Sequence, residues 1–193
     1  MSFKEIIGLL ATIITFIAFF PYIRDILKDL IKPHIFSWII WGVTTLFVFF
    51  AQLKANGGAG AWVGGISGVI TLVIACLAYI KRSDNSISKT DWIFLISALL
   101  SLPVWYITSD PLWSVIILTA IDLLGFGPTF RKSYHDPYSE SLVFYGWFVF
   151  RNILILFALE SYSLTTVLFP AAVGLACGIF ILMLIWRRQI IKN

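Results

Sequence analysis

The stretch Ile35–Gln52 constrains the fold most, because none of its 18 residues is ionisable. The hydrocarbon layer of a bilayer is about 30 Å thick and takes roughly 20 apolar residues in helical form. A polar stripe runs along this stretch, since Ser37, Trp41 and Thr45 recur every four residues and share one helix face. The stretch therefore predicts a membrane-spanning helix with one face suited to line a solute path.

The composition points to an integral membrane protein. The 193 residues are 60% hydrophobic and 12% charged, whereas a soluble domain has about 25% charged residues. We see no nucleotide-binding loop, no clustered metal ligands and no nucleophile beside a base, so we expect neither an enzyme nor a cofactor. The basic residues sit between apolar runs, which argues against nucleic acid as a partner. The expected partners are a small solute and the lipid bilayer of the cell (inner) membrane, with a homo-oligomer left open.

Seven apolar segments can be counted as spans, although the fourth is short and contains Pro103. The expected fold is therefore an all-α membrane protein with seven transmembrane helices. A six-span protein with an interfacial fourth segment is the alternative. The predicted spans are Ile6–Ile23, Ile35–Leu53, Gly60–Ile80, Asp91–Thr108, Leu112–Phe130, Leu142–Leu159 and Leu164–Trp186.

The charges in the loops favour seven spans. With that count, one side of the membrane carries two basic residues and the other carries eleven, and Arg151 inside span six completes the 14. Basic loops stay in the cytoplasm, which predicts an outside N-terminus and a cytoplasmic C-terminus. The two residues are Lys4 and Lys54; the eleven are Arg24, Lys28, Lys32, Lys81, Arg82, Lys89, Arg131, Lys132, Arg187, Arg188 and Lys192.

The sequence also repeats itself. Pro21 and Pro128 align at an offset of 107, Gly68 and Gly174 align at 106, and the register varies between such points. Two three-helix units joined by one extra span keep the same orientation, which is a parallel repeat. The predicted organisation is a first three-helix repeat over 1–82, a linker helix over 83–110 and a second three-helix repeat over 111–193.

This layout resembles the PQ-loop repeat proteins. Its 3+1+3 order with an outside N-terminus resembles the SWEET sugar transporters, whose half-size bacterial relatives are the SemiSWEETs. Each repeat ends its first helix at a proline before a basic loop, here followed by Tyr22 and Thr129. The resemblance implies alternating-access transport of a small polar solute, a sugar or similar. A proton-coupled amino-acid or vitamin carrier and a non-transporting receptor or scaffold are alternatives, since fold does not fix function.

The resemblance further implies a central cavity lined by the second helix of each unit. Ser37 and Trp41 look like the Ser and Trp of such transporters, and Trp147 looks like the Trp of the second unit. Ser67 and Thr71 stand in the third span, where the group places an asparagine. The expected substrate-binding set is Ser37, Trp41, Thr45, Ser67, Trp147 and Asn152.

Two charges well inside the spans are the other candidates. Asp122 and Arg151 each lie roughly 14 Å from the basic boundary at 1.5 Å per residue. A charge at the bilayer centre costs at least about 2.5–3.5 kcal/mol, so each needs a partner or water. We expect a buried pair that acts as a structural ion pair, a substrate contact or a proton-coupling site.

Prolines mark the basic boundary in both repeats. Pro21 and Pro128 lie within the ends of their helices, where proline removes a hydrogen bond and kinks the helix. We predict hinges there for alternating access, with helix termination as the alternative. Pro33 and Pro137 are predicted to start the next helices beside these hinges.

Overall fold

The computed structural model describes residues 1–81 and 111–191, together with positions 88, 89, 92, 93, 96, 100 and 107. Six α-helices and no strand occur in the two long ranges. The predicted fourth span over 91–108 lies outside the described residues, apart from isolated positions. The helices are α1 (Phe3–Leu27), α2 (Ile35–Lys54), α3 (Ala59–Ile80), α4 (Pro111–His135), α5 (Leu142–Ala158) and α6 (Leu164–Ile190).

The described helices are those of a multi-pass membrane protein. Five of them are long and apolar enough to cross a bilayer, and α5 is apolar but shorter, at 17 residues or about 26 Å. Large apolar side chains point outward, such as Phe20 at 75% and Leu175 at 70% exposure. Lipid tails cover such a surface, whereas a soluble monomer rarely exposes one.

The helix boundaries follow from local capping. Ser2 and Glu5 form a capping box that starts α1, and Ser163 with Thr166 does the same for α6. These side chains accept hydrogen bonds from backbone N–H groups that have no partner within the helix. The turn between α2 and α3 needs a left-handed backbone at Gly58, with φ of 61°.

Contacts between helix ends fix the directions of the helices. The start of α1 meets the end of α5 where Lys4 Nζ donates to the Glu160 carbonyl, at 3.3 Å. At the opposite end, Arg188 of α6 donates to the Glu140 carbonyl just before α5, at 2.7 Å. The ends of α6 and α4 also meet, where Arg187 Nε donates to the Tyr134 carbonyl at 2.7 Å, and the end of α3 lies beside the loop after α1. Helices α1, α3, α4 and α6 therefore run one way, and α5 and the intervening α2 run the other way.

The basic side chains of the described helices and loops collect at one end, called here the basic end. Lys81 forms an ion pair there with Asp29, at 3.0 Å, which joins the end of α3 to the loop after α1. The opposite end carries Lys4 and Lys54. The basic end carries Arg24, Lys28, Lys32, Lys81, Arg131, Lys132, Arg187 and Arg188.

The six helices form two matching groups, called here the first trio (α1–α3) and the second trio (α4–α6). In the first trio α3 packs against α1 and α2, and in the second α6 packs against α4 and α5. Between the trios, α1 contacts α5 as α4 contacts α2, and α3 contacts α5 as α6 contacts α2. Each of these helix contacts therefore has its counterpart under exchange of the trios.

The prolines divide into two kinds. Pro21 and Pro128 lie inside α1 and α4, as expected. Pro33 and Pro137 are not the first residues of the next helices, because α2 and α5 begin after the cap residues His34 and Ser141. The prediction that Pro33 and Pro137 start helices was therefore wrong. Both prolines lie in the loops before these helices and are buried there. Proline also occurs inside α6, at Pro170, which we did not single out from the sequence.

Candidate functional site

A cavity with a volume of about 40 Å³ lies between the two trios. The Ser and Thr hydroxyl groups come from the first trio and both charges come from the second trio, with aromatic rings from each. Its described lining is Trp38, Trp41, Thr45, Ser67 and Thr71 from the first trio, and Asp122, Phe126, Phe144, Tyr145, Phe148, Arg151, Phe169, Val173 and Cys177 from the second.

The two walls are built from equivalent positions. Four of the five lining residues of the first trio have a lining counterpart 106 residues later. This is the offset at which Gly68 and Gly174 align in the sequence. The side chains at these positions differ in chemistry. A hydroxyl group in the first trio corresponds to an arginine, an alkyl group or a thiol in the second. The pairs are Trp38 and Phe144, Thr45 and Arg151, Ser67 and Val173, and Thr71 and Cys177.

Asp122 joins α4 to α2 at the cavity wall. Its side chain is buried, with 2% of the residue exposed, and its Oδ1 accepts a hydrogen bond from Thr44 Oγ1. The indole Nε1 of Trp41 donates to the main-chain carbonyl of Asp122, at 3.1 Å. Gly125 permits this approach, because a Cβ there would lie 2.9 Å from Trp41 Nε1. The carboxylate is therefore held in place by the first trio.

Arg151 links α5 to α3 at the cavity wall. Its Nη1 donates to Ser67 Oγ at 2.7 Å, and its guanidinium carbon lies 4.2 Å from the centroid of the Phe148 ring. The residue is 4% exposed, and its Nε–H is buried without a hydrogen-bond partner in the described structure. A buried donor without a partner is costly, so this guanidinium retains capacity for an acceptor.

The predicted direct contact between Asp122 and Arg151 does not occur. Among the described residues, ion pairs join other side chains, and each of these two charges bonds instead to a hydroxyl of the first trio. The pairing was inferred from equal depth on consecutive spans. Helix α6 packs against both α4 and α5 and separates them, so equal depth does not bring the charges together. They share the cavity without bonding to each other.

Of the predicted substrate-binding residues, Trp41, Thr45 and Ser67 line the cavity. Ser37 lies one helical turn nearer the basic end than Trp41. There α2 packs directly on α4, and Thr129 Oγ1 donates to Ser37 Oγ at 2.9 Å. Ser37 therefore links the trios, and the structure places it outside the lining.

Trp147 and Asn152 also lie outside the described lining. On α5 the cavity-facing side is formed by Phe148 and Arg151, so the half-buried Trp147 points elsewhere. Asn152 is buried, and its Nδ2 donates to the Phe148 carbonyl one turn earlier on the same helix, at 2.8 Å. The offset of 106 pairs Trp41 with Trp147 and so identified the correct helix. The residue that lines the cavity there is the adjacent Phe148.

A buried polar cluster between the cavity and the basic end was missed in the sequence. Glu140 is 1% exposed and accepts hydrogen bonds from Tyr22 at 2.8 Å and from Tyr145 at 3.5 Å. Lys132 Nζ lies 3.8 Å from its other oxygen. Glu140 stands in a polar loop just before a helix cap, and nothing in its local sequence distinguishes it from an exposed carboxylate.

The aromatic rings around this cluster lie on the basic side of the cavity and are called here the basic-side wall (Tyr22, Trp38, Phe144 and Tyr145). The Tyr22 ring lies 4.2 Å from that of Phe144 and 5.0 Å from that of Trp38, measured between centroids. Because Trp38 comes from the first trio and Phe144 from the second, the wall is held by contacts between trios.

The site thus consists of two unbridged charges, hydroxyl groups and aromatic rings enclosed between two matched trios. Within the described residues, no group of three or more His, Cys, Asp or Glu side chains is placed to hold a metal ion. No protein-family model, no curated protein and no solved structure shows a significant match to this chain.

Proposed function

We propose that the chain is a seven-span transporter that moves a small polar solute, a sugar or similar, by alternating access, as the SWEET-like resemblance implies. The observation that carries the proposal is the charged cavity between the two trios. A buried charge is costly unless it is paired or solvated, so an ionisable residue inside a membrane helix is by default a candidate functional residue, for example on a solute path. The equivalent lining positions support a cavity at the interface of two repeats.

The path of the chain supports the seventh span. Helix α3 ends at the basic end and α4 begins at the opposite end, so the 29 residues between Lys81 and Pro111 lead from one end to the other. The excess of basic residues supports a cytoplasmic basic end. A reporter after Asn193 is expected in the cytoplasm and one before Met1 outside. Both reporters on one side would exclude an odd number of spans.

Alternating access requires each end to open in turn. The basic-side wall closes one end through ring contacts between the trios. At the other end Gln52 Nε2 donates to the Thr166 carbonyl at 3.1 Å, again between trios. Pro21 and Pro128 lie at equivalent places on the basic side, where each removes a helical hydrogen bond. We propose that they act as the hinges about which the basic end opens.

The test is counterflow of labelled solutes into proteoliposomes that contain the purified chain. A panel of sugars, polyols, amino acids and small acids is loaded inside, and exchange of at least one class is expected. Liposomes with the Trp41→Ala variant serve as the control, since this variant removes a cavity ring. Folded wild-type protein without exchange of any class would favour the receptor or scaffold alternative.

Asp122 keeps proton coupling as a second candidate, because a carboxylate in the cavity can carry a proton with the solute. An imposed pH gradient is then expected to drive accumulation by the wild type and not by Asp122→Asn. Equal accumulation by both proteins would exclude coupling through Asp122.

A further inference from the structure

We infer that the cavity is a site for a small zwitterion, with the solute carboxylate on Arg151 and its cationic group on the Asp122 side. The inference rests on the proposed transport of a small polar solute and assigns that solute to the zwitterions instead of the sugars. Asp122 lies where α4 meets α2, and Arg151 lies where α5 meets α3, so opposite charges face one cavity from two sides. Neither charge neutralises the other by direct contact.

The Arg151 side is suited to a carboxylate. A guanidinium has five N–H donors in a planar fork and binds carboxylates through two parallel hydrogen bonds. In the described structure Nη1 is bonded to Ser67 and Nε has no partner, although the residue is only 4% exposed. The guanidinium carbon lies 4.2 Å from the centroid of the Phe148 ring, which helps to hold the cation at the cavity wall.

The Asp122 side is suited to an ammonium group. Its carboxylate accepts one hydrogen bond, from Thr44, and a carboxylate has lone pairs for further donors. Trp41 is held beside it by the bond to the Asp122 carbonyl, and the Trp41 and Phe126 rings lie 4.7 Å apart between centroids. Cations are attracted to the faces of aromatic rings, so a ring beside the carboxylate favours a cationic group on this side.

The balance of charge selects among solutes. A neutral sugar would leave each buried charge without a counter-ion in contact with it, and a simple anion or cation would supply a contact to only one. A zwitterion supplies the missing partner to each.

The first test is the specificity of the wild-type chain in detergent, measured by calorimetry and by thermal shift. The probes are glycine and glycine betaine as zwitterions, glycolate as an anion, ethanolamine as a cation and glycerol and glucose as neutral solutes. Each zwitterion is expected to bind at least about tenfold tighter than the other probes, a difference within the range of one charged contact. Tighter binding of glycerol or glucose would overturn the inference.

The second test removes the two cavity charges one at a time. Arg151→Gln is expected to weaken zwitterion binding at least about 30-fold and to shift the preference to ethanolamine. Asp122→Asn is expected to shift it to glycolate. Arg24→Gln and Asp25→Asn are matched controls, since they remove charges of a surface ion pair away from the cavity. An unchanged order of preference in both cavity variants would contradict the assignment, and the wild-type panel decides if either variant fails to fold.

Counterflow separates this inference from the proposed function. Exchange of a sugar without binding of any zwitterion would overturn the zwitterion site and leave transport standing. Zwitterion binding without exchange of any probe would support the site and overturn transport.

Discussion

Gly125 offers the sharpest test of the contact between α2 and α4. A Cβ at this position would lie 2.9 Å from both Ile40 Cγ2 and Trp41 Nε1. Ordinary contacts between non-bonded carbons are about 3.5–4.0 Å, so Gly125→Ala forces the Trp41 ring to move. Overpacking of this kind typically costs about 1–3 kcal/mol. Displacement of Trp41 also strains its hydrogen bond to the Asp122 carbonyl, which is worth about 0.5–1.5 kcal/mol.

Alanine also forms helices better than glycine, by about 0.8–1.0 kcal/mol. The net expectation is a loss of about 0.5–3.7 kcal/mol, or a melting temperature lower by roughly 1–15 °C for a chain of this size. Gly178→Ala is the matched control, because no atom lies within 4 Å of a Cβ built there on α6. It is expected to be neutral or slightly stabilising.

The assay is thermal unfolding of both variants in detergent, followed by counterflow. Gly125→Ala is expected to melt lower and to lose solute exchange, since the ring that lines the cavity has shifted. Equal melting temperatures for the two alanine variants would refute the close approach of α2 and α4. Reduced stability with full exchange would refute the role of Trp41 in the cavity wall.

Three further predictions concern neighbouring groups. Asp122→Asn and Arg151→Gln should each lower thermal stability. Because the charges do not touch, the coupling energy of their double-mutant cycle should be about 1 kcal/mol or less, whereas a value near 3 kcal/mol would indicate a direct pair. Trp41→Ala should abolish exchange at near-normal expression, whereas Trp41→Phe should retain part of it by keeping a ring; loss of folded protein from both would make Trp41 a core residue. Glu140→Gln should lower the free energy of unfolding by about 3–5 kcal/mol, because it leaves Lys132 buried without its ion pair. Tyr22→Phe should lower it by about 1 kcal/mol. Equal melting temperatures for these two variants would contradict a charged cluster.

Much of the described fold follows from the sequence, because membrane helices are set by run length and by the positions of loop charges. The predicted spans two, three and six begin within one residue of α2, α3 and α5. The repeat offset of 106 also carries over to cavity-lining positions such as Thr45 and Arg151. These features depend on one-dimensional patterns, which the sequence contains in full.

The rotation of each helix about its axis and the neighbours of each side chain could not be predicted from the sequence in this way. Trp147 and Phe148 are adjacent aromatic residues, and a rotation of 100° about α5 decides which one faces the cavity. The separation of Asp122 from Arg151 depends on α6 packing against both of their helices, a relation between distant segments. Burial of Glu140 likewise depends on Tyr22, which lies 118 residues earlier in the chain.

The divergence between equivalent lining positions has a consequence for how such a protein could arise. In a symmetric dimer of three-helix chains, every group in the cavity would occur twice, so an arginine would always face a second arginine. Joining the two copies in one chain removes this constraint. Thr45 stands at the place that Arg151 occupies in the other trio. A fused chain can therefore hold a solute that has two different ends, and hold it in one orientation.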